Sequence, residues 1–277
     1  MYTALHTGGI GVRVGFDEAV ELAAHHAFDG IYLHLTYLKD TGHEGVVQLL
    51  DERDLKPAGW NLPFGLTAPE EEFTGALDGL AETADMCARA GALICSTWVP
   101  PAFDELTRDE AFALLAERVR VVSEVLAAWD VRLGLEFIGP ETSRAGRRHA
   151  CIHTMQGMLD LCQAAGTDNV GLLLDCWHLH ASGGSMDDVL ALAADQVVDV
   201  HVSDAPAGVA LSDLRDGVRK LPGETGVIDV ARFLAGLREI GYAGPVAVEP
   251  LRGRMEGMEP AAAVGAAKEA LDRVWPG

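Results

Sequence analysis

The chain has 277 residues, 49 % of them hydrophobic, and carries 42 Asp and Glu against 21 Lys and Arg, a formal net charge of −21. The length suits one large domain or two small ones, and the charge repels phosphate backbones and anionic membranes, so nucleic acid and membrane are poor partners. No apolar run reaches the ~18 residues a membrane helix needs, and the first segment, MYTALHTGGIGVRVG, lacks a basic stretch ahead of an apolar one, so a cytoplasmic protein is expected.

Short apolar runs alternate with amphipathic helical stretches along the whole chain. Strands are predicted at residues 3–8, 30–35, 56–61, 92–97, 132–137, 170–175, 197–202 and 246–249. Several, such as GLLLD and AVE, are continuously apolar, which suits parallel strands buried on both faces. After the third strand, Phe73, Leu77, Leu80, Ala84 and Cys87 recur at helical spacing. After the fourth, Phe112, Leu115, Val119, Val122, Leu126 and Trp129 form one stripe on a long helix, with Glu117, Arg118 and Glu124 placed off it. Val230, Phe233, Leu234, Leu237 and Ile240 mark a helix that Gly241 and Gly244 end before the last strand, and residues 261–274 close the chain as another. Eight strand–helix units in this length predict the α/β class and a closed (β/α)8 TIM barrel, a single domain over residues 1–277, in preference to an open doubly wound sheet. Gly8, Gly9 and Gly11 are too close together for G-x-G-x-x-G, so no dinucleotide site is expected. The stretches 137–171 and 204–225 are long for such connections and are candidate lids over the catalytic face. Cys87, Cys95, Cys151, Cys162 and Cys176 are scattered, with no C-x-x-C pair, and read as reduced, mostly buried thiols.

Four potential metal ligands fall at the C-terminal ends of predicted strands: Glu136 in RLGLE, Asp175 in VGLLLD, His201 in VVDVH and Glu249 in PVAVE. Polar residues that end buried strands need a reason, and in a barrel those ends converge on the catalytic mouth. Each alone has an ordinary reading, as a salt-bridge partner or a satisfied core histidine. Four at the same end point to one divalent metal. Three carboxylates and an imidazole suit Mn²⁺, Mg²⁺ or Co²⁺, and can also take Zn²⁺.

The segments GLEF around Glu136, GLLLDCWHLHASGG around Asp175, VVDVHVSDAP around His201 and LPGETGVIDVARFLAGLREIGYAGPVAVEPL ending at Glu249 carry a resemblance. The chain resembles the xylose-isomerase-like barrels known as sugar phosphate isomerases/epimerases. That group includes ketose 3-epimerases, hydroxypyruvate isomerases, inosose isomerases and dehydratases, and 3-dehydroshikimate dehydratases. The similarity spans nearly the whole chain and is sharpest over residues 131–251. It implies that Glu136, Asp175, His201 and Glu249 bind the metal, that Glu136 and Glu249 face opposite sides of the substrate and move the proton, and that His178 hydrogen-bonds the substrate oxygen that turns negative. It also implies an arginine near the seventh strand, for which Arg219 in RKLPGE is the choice and Arg215 the second. The PGETG run is one residue longer than the commoner PGEG pattern. Family members are commonly dimers or tetramers, so a homo-oligomer is expected.

The chemistry follows from the ligand set. A metal that chelates a carbonyl oxygen and the neighbouring hydroxyl neutralises the developing enediolate and so acidifies the carbon between them. A carboxylate takes that proton. Its return to the neighbouring carbon is isomerisation, its return on the other face is epimerisation, and loss of a β-hydroxyl is dehydration. The expected function is a metal-dependent isomerase or epimerase of a keto-sugar or cyclitol, with a lyase (a 3-dehydroshikimate or inosose dehydratase, or a β-eliminating enzyme on 3-keto-glycosides) as the alternative. Around the mouth, His6, His34, Trp60, Asn61, Phe64 and Trp98 either meet substrate or pack; Asp204 either orients His201 from behind or caps a loop. Arg144, Arg147, Arg148, His149 and His153 form a basic patch in SRAGRRHACIH, either a solvated loop or a lid for an anionic substrate. A DNA-repair endonuclease on the same barrel is disfavoured by the charge and by VIDVARF, where Asp229 lacks the histidine that a D-x-H ligand pair needs. A non-catalytic barrel is disfavoured by the complete ligand set.

Overall fold

The computed structural model describes residues 1–277, with the side chains of residues 252 and 253 outside the described set. Eight strands succeed one another with helices between them: β1 (Tyr2–Leu5), β2 (Gly30–Ile31), β3 (in two pieces, Lys56–Pro57 and Trp60–Asn61), β4 (Ile94–Val99), β5 (Arg132–Phe137), β6 (Val170–Asp175), β7 (Val197–Val202) and β8 (Pro245–Val248). All pair in parallel, and β1 lies between β2 and β8. The first piece of β3 pairs with β2 and the second with β4, so this one strand closes the sheet into a TIM barrel.

The principal helices are α1 (Phe16–His25), α2 (Leu35–Asp51), α3 (Glu70–Arg89), α4 (Arg108–Ala127) and α5 (Met155–Ala165). They are followed by α6 (Cys176–Ala181), α7 (Met186–Leu190), α8 (Val230–Glu239), α9 (Leu251–Met255) and α10 (Pro260–Val274). No helix of the described residues is long and apolar enough to cross a membrane. The expected stripes face the strands: Phe73, Leu80, Ala84 and Cys87 on α3, Leu115, Val119, Val122 and Leu126 on α4, and Val230, Phe233, Leu234 and Leu237 on α8 are buried. Trp129 lies just past the end of α4. Arg118 corrects the sequence reading. Three residues after Leu115 and four before Val122, it lies within the stripe and is 5 % exposed. Burial is tolerated because its guanidinium donates to the carbonyls of Leu66 and Ala68 at 2.8 and 2.6 Å, pairs with Glu70 at 2.9 Å, and stacks over Phe73.

The main core lies between strands and helices. A second, small cluster of Ala4, Tyr32, Ala58 and Ala247 lies inside the barrel. Its residues are small because facing strands leave room for little more than one large ring, which Tyr32 supplies. Alternation along each strand then places His6, His34, Glu136, Asp175, His201 and Glu249 on the interior side at the C-terminal mouth. Strand β3 departs from that alternation. Ala58 packs inside, but Trp60, two residues on, packs in the outer core. The break in pairing at Ala58 and Gly59 shifts the phase by one residue, so Asn61 points into the mouth.

The five cysteines are free, four of them buried. Residues 102–103 and 149–150 form a short antiparallel pair that ties the loop after β4 to the loop after β5. The long 204–225 connection is anchored by paired backbone bonds between Asp204 and Lys220, 2.8 Å each way.

Candidate metal centre

Glu136, Asp175, His201 and Glu249 come from β5, β6, β7 and the residue after β8. Each offers a ligand atom, and these atoms lie within 4.8 Å of one another. His201 stands beside Asp175 in register, and the Glu249 N–H donates to Val202 O at 2.9 Å, so strand pairing itself sets the ligands side by side. His201 Nδ1 is 3.4 Å from Glu249 Oε2 and 3.9 Å from Glu136 Oε1. Glu136 Oε1 and both His201 nitrogens are buried and have no hydrogen-bond partner. Orphaned buried polar atoms are costly. Converging at ligand spacing, they fit a divalent cation, with His201 Nδ1 as the nitrogen donor.

The electrostatics agree. Burial, then Glu249 and Asp175, push the Glu136 carboxyl well above its usual range. Burial raises Asp175 to about 6, against the pull of Arg219. Burial disfavours charge on His201, but Glu249, Asp199 and Glu136 outweigh it and lift the imidazole to about 10. Burial opposes the charge on Glu249 too, but His201 and Arg219 hold it well below the usual carboxylate range. In this state the protons on Glu136 and His201, together with Arg219, balance the carboxylates, and a divalent cation would take the place of those protons.

Arg219 is buried, and its Nη1 reaches Asp175 Oδ2 at 2.7 Å and Glu249 Oε2 at 2.9 Å. Its Nη2 contacts Asp216 at 3.1 Å and His178 Nε2 at 2.9 Å. Asp216, which the sequence reading missed, also accepts from the Trp177 indole at 2.9 Å and so fixes Arg219. Arg215 is exposed, which selects Arg219 as the arginine that enters the site.

His178 is 1 % exposed, and burial, then Arg219, hold its pKa well below the usual histidine value, so the ring is neutral. Both its nitrogens face donors, and a neutral imidazole accepts at only one. The Gly139 backbone N–H lies 3.2 Å from Nδ1 and Arg219 Nη2 lies 2.9 Å from Nε2, so the ring is held between the loop after β5 and the guanidinium. Position 139 has to be glycine, since a Cβ there would sit 2.2 Å from His178 O.

The remaining sequence candidates divide. His6 lies within ligand reach of His201 and Glu249, and its Nε2 is 3.3 Å from the Asn61 amide. Trp98 is 57 % exposed at the mouth, beside Glu136 in register. Trp60 is a correction. It is fully buried, and its indole donates to Ala92 O at 3.2 Å, because the break in β3 turns it into the outer core. Asp204 is a loop cap: its carboxylate accepts the N–H groups of Ala205, Thr225, Gly226 and Ile228. His34 bonds Thr7 at 2.9 Å, away from the ligand cluster. Beneath the ligands, Asp199 accepts from Tyr32 and from Ser96 (2.8 Å). This buried acid, two residues before His201, is visible in VVDVH as a break in an apolar strand.

The mouth opens into three connected basins. One of about 880 Å³ is lined by Trp98, Phe103, Arg147, Glu136, His178 and Arg219. A second of about 460 Å³ holds Asn61, Phe64, His201 and again Trp98, Glu136 and Glu249. A third of about 500 Å³ joins it through His6 and Asn61 and reaches His34 and Asp40.

Known proteins resemble this chain in sequence and fold. The family model for the xylose isomerase-like TIM barrel matches residues 14–274. An inosose isomerase of Bacillus velezensis is 24 % identical over 93 % of this chain and 91 % of its own. A 3-dehydroshikimate dehydratase of Pseudomonas aeruginosa is 30 % identical over 57 % of this chain, which is 23 % of that protein. Among solved structures, a xylose isomerase domain protein from Alicyclobacillus acidocaldarius superposes with a TM-score of 0.89 at 29 % identity, covering 99 % of this chain and 98 % of that one. The IOLI protein with a binding zinc atom superposes at 0.82, with 22 % identity and the same coverage.

Proposed function

The chain belongs to the xylose isomerase-like TIM barrel family, and from that premise we propose that it is a divalent-metal-dependent isomerase or epimerase of a keto-sugar or cyclitol, working by proton abstraction next to a carbonyl. The observation that carries this reading is the convergence of Glu136, Asp175, His201 and Glu249 at the barrel mouth, with orphaned ligand atoms. These four residues would hold the ion. When bound, the ion supplies positive charge against the negative charge that develops on the substrate oxygens. Mn²⁺, Mg²⁺ and Co²⁺ suit the oxygen-rich donors, and the zinc of the IOLI structure keeps Zn²⁺ among the candidates.

The rest is done by side chains. Glu136 and Glu249 both border the two basins that share Trp98, so each reaches the space where a substrate carbon would sit. One takes the proton, and either the same group returns it to the neighbouring carbon or the other returns it on the opposite face. The neutral His178 hydrogen-bonds the oxygen that gains charge. Arg219, held by Asp216, orients that oxygen, while the Trp98 ring and His6 contact the body of the substrate.

The inosose isomerase relative favours a cyclitol ketone among substrates. The similarity to 3-dehydroshikimate dehydratase supports a second reading, a lyase that begins with the same abstraction and then expels a β-hydroxyl. Deuterium uptake from D₂O into a panel of keto-sugars and inososes, with Mn²⁺ and with chelator, tests the proposal. Metal-dependent exchange beside the carbonyl is expected. A new ultraviolet absorption, from a conjugated carbonyl, would favour the lyase. Exchange that persists in chelator would refute the metal role.

A further inference from the structure

Inside the barrel sits one acid that the chemistry above does not use. Asp199 is fully buried on β7, two residues before His201 and on the same face of the strand. Barrel interiors are filled mainly by apolar side chains, and a polar group buried there costs stability unless it is hydrogen-bonded. The Asp199 carboxylate accepts from the Tyr32 hydroxyl, from the Ser96 hydroxyl at 2.8 Å and from the Val200 N–H at 2.9 Å. Gly134 on β5 leaves room for the serine, since a Cβ there would lie 3.0 Å from Ser96 Oγ. Asp199 thus ties β7 to β4 and to the residue that follows β2, just beneath the ligands.

The Tyr32 ring, fixed in this way, packs against the site. Its centroid lies 4.7 Å from that of His6 and 6.3 Å from that of His201, the latter edge-on, and the two imidazoles are 5.5 Å apart. These are the spacings of aromatic rings in contact. His201 needs such support. A metal-ligating histidine usually donates its second ring N–H to a carboxylate or a carbonyl, which sets the orientation of the ring. Neither His201 nitrogen has a hydrogen-bond partner among the described residues, and the torsion that turns an imidazole is broad. Packing therefore has to hold Nδ1 toward Glu249 and Glu136, and Tyr32 supplies one wall of it.

We propose that Asp199 is a positioning residue: it tethers the Tyr32 hydroxyl, and the tethered ring holds His201 Nδ1 toward Glu136 and Glu249, a role that rests on the metal reading of the site. Through Tyr32, Asp199 does what a carboxylate bonded directly to a ligating imidazole does in other metal sites.

The test reads the ion and not turnover. The full chain is titrated with Mn²⁺ for affinity and loaded with Co²⁺ for its visible absorption, which reports coordination geometry. Tyr32→Phe keeps the ring and removes its tether. Asp199→Leu removes the acceptor. Asp199→Asn keeps one, because its carbonyl oxygen can accept from Tyr32 while its amide donates to the Ser96 hydroxyl. Tyr32→Phe and Asp199→Leu are each expected to weaken Mn²⁺ binding about 10- to 100-fold and to alter the Co²⁺ spectrum, whereas Asp199→Asn is expected to stay within about threefold of wild type. Since both act on one ring, the double substitution is expected to bind no more weakly than either alone. Lost packing by itself would lower the melting temperature and leave the spectrum of the folded variant unchanged. A folded Tyr32→Phe with wild-type affinity and spectrum overturns the proposal, and this arm stands even where Asp199→Leu does not fold. Asp199→Asn as weak as Tyr32→Phe overturns it too, because the acid would then act by its charge and not as a tether. Effects that add in the double variant do the same. A wild-type chain that takes up neither Mn²⁺ nor Co²⁺ overturns the metal reading and the role of Asp199 with it.

Discussion

Glu249→Gln removes a carboxylate that serves both as ligand and as proton carrier, and is expected to abolish exchange. His178→Ala removes one hydrogen bond to a developing charge, and is expected to lower kcat by roughly 10²–10⁴-fold with metal content retained. Single-turnover exchange on both variants checks this pair, and full activity in either one contradicts its role. At this scale the four ligands were legible because charged residues interrupt apolar strands at the same end. Asp216 and Gly139 were not legible. Their work depends on which side chains a folded loop brings to them, here Arg219 and His178, and no local spacing encodes that. Asp199 was legible in principle, as an acid within VVDVH two residues before His201.

Among the elements, β5, β6 and β7 match their predicted spans to the residue, because each is a mostly apolar run with its polar residues at an end or facing the barrel interior. Strand β3 is where period-two reasoning fails. A phase shift at Ala58 and Gly59 sends Trp60 outward, and nothing in KPAGWN announces it. Trp60 in the outer core and Trp98 at the mouth therefore separate by experiment. Trp60→Ala is expected to cost ~3–5 kcal/mol of stability by emptying a buried site. Trp98→Ala is expected to leave stability within about 0.5 kcal/mol and to act on KM. Denaturant titration with parallel kinetics decides; a KM effect from Trp60→Ala at full stability would contradict the assignment. Arg118 shows the same limit on a helix. Its charge suggested a solvent face, but its position in the stripe and the carbonyls of Leu66 and Ala68 make burial workable.

For the whole molecule, eight repeats of one strand–helix pattern made the barrel legible, whereas the loops that shape the basins carry no such periodicity. The charge of the mouth also sets how the cation binds. In the metal-free protein Asp175 keeps a proton below about 6, Glu136 holds one well above the usual carboxylate range, and His201 stays protonated up to about 10. A cation must displace these protons, so metal affinity falls as pH falls, and binding near neutral pH releases protons. Calorimetric titration in two buffers of different ionisation enthalpy is expected to show that release as a difference in apparent heat; identical heats would contradict it. Since the ion binds the folded chain, chelation is expected to lower the melting temperature, on the order of 5 °C relative to protein held at a hundredfold excess of metal over Kd.

The central claim, that Glu136, Asp175, His201 and Glu249 form one cation site, is tested most directly by the metal content of purified protein and of Asp175→Ala and His201→Ala. Elemental analysis after equilibration with Mn²⁺ and desalting is predicted to find one ion per wild-type chain and none in either variant, with both variants folded by circular dichroism. Wild-type protein without metal, or folded variants that keep it, would contradict the claim.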